Sequence, residues 1–200
     1  MPIHVANPLS PRTSRRRALV GLAASVGLTA LPVAQAADEA KTYDEDEMLK
    51  KAAAFFGKGS EGLAKVIEKV FKDQGRPNGY LQGEEVSAAL AIGLRYGEGR
   101  ATLKSGAGGK VYWAGPSIGI DAGANAAKVF TLIYNLPKLS AIYQRFPGVE
   151  GSLYWIGGVG VNYQHLDGIT LAPIRLGVGL RSGASVGYLH YRREKSYNPL

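Results

Sequence analysis

Residues Gly115–Asn135, GPSIGIDAGANAAKVFTLIYN, decide how the rest of the chain is read. In the first half, Ser117, Gly119, Asp121 and Gly123 alternate with Ile118, Ile120, Ala122 and Ala124, the period-2 pattern of a strand with two unlike faces. The second half, Lys128–Asn135, is apolar on both faces, as in a strand covered on both sides. A glycine-spaced strand that runs into a fully covered one makes this stretch the centre of a β architecture.

Working outward, similar short strands recur between glycine-rich turns. Upstream, Val86–Tyr96 leads to an expected turn at Gly97-Glu98-Gly99, and Arg100–Lys104 pairs across Ser105–Gly109 with Lys110–Trp113. Downstream, Leu136-Pro137 introduces one helical turn within Lys138–Phe146. The strands Gly151–Ile156, Gly158–Gln164, Ile169–Ile174, Leu176–Arg181 and Ser185–Arg192 follow. His165-Leu166-Asp167-Gly168 carries Asp-Gly where a hairpin favours it. About ten strands at this spacing predict a mainly β (α+β) fold, a small closed or strongly curved antiparallel β-barrel with one or two N-terminal helices.

Gly158, Gly160, Gly177, Gly179 and Gly187 alternate with apolar residues along their strands. Glycine weakens a strand unless the chain bends sharply there or a bulky group must come close. The helix and the aromatic side chains are one such group; a ligand's acyl chain is the other. The helix is predicted over Ser60–Phe71, with Ser60 as N-cap and Leu63, Val66, Ile67, Val70 and Phe71 on one face. That stripe suits packing on a sheet, with a membrane surface as the alternative.

The N-terminal segment is set apart from the fold. Arg12, Arg15, Arg16 and Arg17 precede a short apolar run, Ala18–Ala30, and Ala34-Gln35-Ala36 has the small-x-small form of a cleavage site between Ala36 and Ala37. The run is too short to span a bilayer, so residues 1–36 are expected to be a signal peptide and the mature chain periplasmic, without a transmembrane segment. The arginines also half-match a twin-arginine export signal. Residues 37–59 are expected to form an acidic, partly helical leader, with Asp38–Glu47 solvated and mobile. Residues 60–200 form the helix-plus-barrel domain. The absence of cysteine excludes disulfides. The precursor carries a net charge of +8; removing the four signal arginines from 24 Lys and Arg leaves 20 against 16 acids, a net of +4. That excess permits attraction to anionic lipids or polymers and falls short of a nucleic-acid binder.

Chemistry is sparse. Gly115-Pro116-Ser117-Ile118-Gly119 fits the G-x-S-x-G of a hydrolase elbow, but that motif needs a strand, a sharp turn and a helix, and Ser117 opens an alternating strand. Ser105–Lys110 fails as a phosphate loop, and the scattered histidines make no metal shell. No catalytic residue, metal site or cofactor is therefore expected. Tyr112-Trp113 and Tyr154-Trp155, with Arg95, Arg100 and Lys110 near in sequence, suit an interface that is wet on one side and oily on the other; they suit core plugs of a barrel as well. Asp121, if it faces inward, needs a partner such as Arg175 or Arg181; otherwise it anchors a ligand. Arg95, Arg100, Lys110, Trp113, Asp121, Trp155 and Arg175 are thus the candidate ligand-binding residues.

The runs RPNGYLQGEE, GLRYGEGRATLKSG, VYWAGPSIGIDAG, LIYNLP, YQRFPGVEGSLYWIGGVGV and LAPIRLGVGLRSGASVGYLHYRR, with the terminal NPL, resemble the envelope integrity protein A family. The resemblance covers Tyr43–Leu200. It implies a periplasmic β-barrel with helices at its N-terminal side, no known catalysis and a role in envelope stress resistance; binding of a lipid, an envelope polymer or an envelope protein is the expected means. A fainter similarity, over Ala88–Asn135, is to SYLF lipid-binding domains. It rests on Gly93–Gly99, Gly115–Gly123 and Val129–Tyr134, and implies a dedicated phospholipid-binding domain as the alternative.

Overall fold

The computed structural model describes residues 41–89, 93–117, 123–176 and 187–196. Two helices open it. Helix α1, Glu45–Phe56, starts where the Asp44 side chain accepts the Glu47 amide at 2.7 Å, and stops at Gly57, whose φ of 77° favours glycine. Helix α2, Glu61–Gln74, starts where Ser60 Oγ accepts the Leu63 amide at 3.1 Å. Met48, Ala52 and Phe56 of α1 and Leu63, Val66, Ile67 and Val70 of α2 are buried. The stripe predicted on α2 therefore packs on the sheet.

The acidic leader differs from its expectation. From Tyr43 onward the chain is part of the folded unit: the Tyr43 amide donates to Pro77 O at 2.8 Å and its ring lies edge-on to Tyr80. Burial raises the Tyr43 phenol to about 12, helped by the nearby Tyr80 and Glu47. Glu45, Asp46 and Glu47 occupy the first turn of α1, where the helix dipole favours anions, and Glu47 pairs with Lys104 at 2.8 Å. Asp44, Glu45 and Asp46 are solvent-exposed as expected, but they start an ordered helix; Asp38 and Glu39 of the same run lie outside the described residues.

The strands are β1 (Gly79–Ala89), β2 (Gly93–Leu103), β3 (Gly108–Ser117), β4 (Gly123–Tyr134), β5 (Arg145–Pro147), β6 (Tyr154–Ile156), β7 (Val159–Val161), β8 (Gln164–Leu166), β9 (Ile169–Leu176) and β10 (Tyr188–Arg192). A short 3-10 turn, Leu139–Ile142, precedes β5. They form one antiparallel sheet, ordered β5-β10-β3-β2-β1-β4-β9-β7-β6, with β8 also on β9. A backbone bridge between Gly148 and Gln164 ties the chain just past β5 to β8, so the sheet curls round on itself. The result is the curled, barrel-like sheet expected. The β8–β9 hairpin turns at Asp167 and Gly168, both at positive φ, as Asp-Gly in its favoured place should.

Alternation along the strands divides the apolar residues between two cores. Outside, Tyr80, Phe130, Leu132, Tyr134, Ala172 and Ile174 meet the two helices. Inside the curl, Leu81, Ala101, Val111, Trp113, Val129, Ile133, Leu171 and Tyr191 meet one another. Lys128–Asn135 reads as apolar on both faces for this reason: β4 lies between the cores.

One expected turn is absent. Gly97-Glu98-Gly99 lies in the middle of β2, with Gly97 opposite Glu85 of β1 and Trp113 of β3. A Cβ on Gly97 would run into the Trp113 indole, and one on Gly83 would sit 2.6 Å from Trp113 Cη2. These glycines make room for a ring inside a tight curl. Gly62 is a close-approach position of another kind, since a Cβ there would lie 2.7 Å from Ile156 O, where α2 presses on β6.

Candidate functional site

Two polar assemblies stand out, one inside the curl and one on its outer face. The inner one begins with Glu85, which the period-2 pattern from Leu81 through Gly83 points inward. Register lines up Glu85, Gly97, Trp113 and Tyr191 across β1, β2, β3 and β10. Because Gly97 has no side chain, the Trp113 indole crosses over it and donates from Nε1 to Glu85 Oε2 at 2.8 Å. Arg175 of β9 grips the same carboxylate with two bonds, Nε to Oε1 at 3.1 Å and Nη2 to Oε2 at 3.2 Å. Its remaining Nη1 donates to Asn162 Oδ1 at 3.1 Å. Arg95 stands 3.8 Å from Glu85 Oε1. Glu85, Arg95 and Arg175 are each only 4% exposed.

Burial pushes the Glu85 carboxyl up, but Arg175 and Arg95, with the bonds from Arg175 and Trp113, outweigh it and hold the group below the usual carboxylate range. Both oxygens are engaged and the group stays charged, so Glu85 is built to key the curl rather than to transfer protons. Around it, Tyr191 Oη donates to Gln164 Oε1 at 2.8 Å, and the Tyr191 ring meets Phe146 edge-on.

The outer assembly is a groove of about 390 Å³ over β1, β2 and β3, lined by Gln82, Glu84, Glu98, Arg100, Lys110 and Tyr112. Val86, Tyr96 and Lys195 continue it. Arg100 and Lys110 face each other directly across β2 and β3, and Glu84 and Glu98 do so across β1 and β2. Like charges directly opposite are unfavourable in a sheet. Among the described residues neither Arg100 nor Lys110 makes an ion pair. The cation beside Glu84, Lys128, is drawn away to Phe55 O at 2.9 Å.

The candidate residues thus divide. Arg95, Trp113 and Arg175 come together around Glu85, while Arg100 and Lys110 face each other in the outer groove. Trp155 belongs to neither assembly; it lies half-buried on β6 opposite Gly160. Asp121, with Arg181, Ala36 and Ala37, lies outside the described residues. Among the described residues the carboxylate that Arg175 meets is Glu85, which sequence reasoning passed over. Its signal was the alternation from Leu81, obscured by the adjacent Glu84. Ser117 is the last residue of β3, paired with Gly93. Among the described residues no group of three or more His, Asp or Glu could hold a metal ion, and no helix is long and apolar enough to cross a membrane.

The family model described as envelope integrity protein A matches residues 41–200. Among solved structures, the chain is similar to a beta-barrel-like, uncharacterized protein from Brucella abortus. The two share 42% identity over 80% of this chain and 99% of that one, with a TM-score of 0.73. No curated protein matches the chain.

Proposed function

The chain belongs to the envelope integrity protein A family, and on that premise we propose that it is a non-enzymatic periplasmic protein that supports the envelope by holding an anionic envelope polymer in its outer groove. The observation that carries this reading is the Arg100–Lys110 pair: two exposed cations fixed opposite each other by strand register, with no carboxylate between them. A bound carboxylate or phosphate would relieve their repulsion, and a bidentate guanidinium contact would add direction. Tyr112 and Tyr96 offer flat faces for a sugar ring along the same groove. Glu84 and Glu98, one row away, would disfavour a uniformly anionic surface such as a charged bilayer. A polymer with spaced charges fits them better.

Two features support binding over catalysis, and a third argues against membrane insertion. The curl's interior is filled by Trp113, Tyr191 and their neighbours. Its buried carboxylate is fully engaged. Large exposed apolar side chains among the described residues are confined to Val86, Val149 and Leu153, too scattered for membrane insertion.

The test is co-sedimentation of the protein with purified cell-wall glycan, lipopolysaccharide and phospholipid vesicles, each at low and high salt. Binding to a glycan that is lost in the Arg100→Ser/Lys110→Ser variant supports the reading. Binding to vesicles alone would transfer the role to phospholipid, and binding that this variant leaves intact would overturn the groove.

A further inference from the structure

Beside the groove, on β5 and β10, two arginines close on a single histidine nitrogen. Arg145 and His190 are direct cross-strand partners. Arg145 Nε lies 3.4 Å from His190 Nδ1. Arg192, two residues along β10 on the same face, reaches the same atom with Nε at 3.2 Å and Nη2 at 2.9 Å. Arginine only donates, so Nδ1 must accept and the ring proton must sit on Nε2. The Arg145 guanidinium is steadied over the Tyr188 ring at 5.5 Å, and Arg193 lies over Tyr143 at 5.4 Å.

We propose that Arg145, His190 and Arg192 form a proton-linked binding site for a phosphate or similar oxyanion group. The Nε–Nη2 edge of Arg192 and the Nε of Arg145 are spent on His190 Nδ1 while the ring is neutral. Once Nδ1 is protonated it no longer accepts, and both guanidinium groups can turn these donors to phosphate oxygens, which they match as forks. The groups facing His190 are Tyr188 and Arg192 on its own strand, Arg145 across β5, and Ala114 across β3 with Tyr112 next to it on the β3 side. Among the described residues no carboxylate pairs with His190 or Arg145. Burial, then Arg192 and Arg145, hold the imidazole below its ordinary pKa. Protonation would place a third cation at this spot, so a bound anion favours it. Anion and proton therefore bind together. The site goes beyond the groove reading and does not need Arg100 or Lys110.

The experiment is an NMR titration of the histidine ring signals in the intact chain, from pH 8 to pH 5, with and without inorganic phosphate. Phosphate should raise the His190 midpoint, and it should bind more tightly as pH falls. Arg145→Ala should weaken phosphate binding roughly tenfold, Arg145→Lys should restore part of it, and His190→Asn should keep binding but lose its pH dependence. A second arm adds vesicles of phosphatidylcholine with and without phosphatidylglycerol. A His190 response to anionic vesicles assigns the phosphate to a lipid headgroup; a response to free phosphate alone assigns it to a soluble or polymer-borne group. A His190 titration that ignores phosphate, or an Arg145→Ala chain that binds it undiminished, would overturn the site. The Arg100→Ser/Lys110→Ser variant should retain it, which separates its failure from that of the groove.

Discussion

Arg175 of β9 and Glu85 of β1 form a two-bonded ion pair inside the curl, at 3.1 and 3.2 Å, across the strand β4 that lies between them in the sheet. The pair joins strands that are not hydrogen-bonded neighbours, so it fixes how tightly the sheet closes. Burying two charges is costly, and removing one partner leaves the other uncompensated. Arg175→Met should therefore cost about 3–5 kcal/mol in urea unfolding. Adding Glu85→Leu to Arg175→Met should recover only part of that loss, because the buried Arg95 and the Trp113 indole then lose the same carboxylate. A double variant no better than the single one would mean that the pair does not couple.

The same pair sets the response to acid. The folded pKa of Glu85 lies below its unfolded value. Its contribution is therefore complete above the unfolded value, near pH 4.5, and is lost as pH falls through the folded one. Thermal unfolding should show a loss of Tm below about pH 4 that Glu85→Gln flattens. The glutamine variant should also start from a lower Tm at neutral pH, because Arg175 keeps its charge without a counter-ion.

Gly97→Ala should be far more damaging than an ordinary strand substitution. Alanine is normally better than glycine within a strand, but the added methyl meets the Trp113 indole and must displace it from Glu85. A loss of about 1–3 kcal/mol, with a red shift of tryptophan fluorescence, is expected. Gly106→Ala should serve as the comparison, since a Cβ there meets nothing within 4 Å and the cost is only that of its positive φ.

Much of the fold is legible in residue spacing. The α2 stripe, the β8–β9 turn and the doubly covered β4 follow from periodicity, because each depends on neighbours close in sequence. Three features escaped. Gly97-Glu98-Gly99 reads as a turn because the reason for its glycines, the Trp113 ring, comes from the next strand. The acids that open α1 read as a mobile leader because Lys104, which Glu47 meets, lies 57 positions away. Glu85 is 90 positions from Arg175, and only the closed register shows which of two adjacent glutamates turns inward. The candidate residues Arg95, Trp113 and Arg175 were legible as a basic and aromatic set, but that they surround a carboxylate was not.

The most direct measurement of the groove's role is complementation. A strain lacking this protein is transformed with the intact chain or with the Arg100→Ser/Lys110→Ser variant, and survival is scored on detergent and on a cell-wall antibiotic. Both residues are exposed and make no ion pair among the described residues, so the variant should fold with a Tm within a few degrees of the intact chain. The account predicts that the intact chain restores resistance and that the equally stable variant does not. Full resistance from the variant would contradict it.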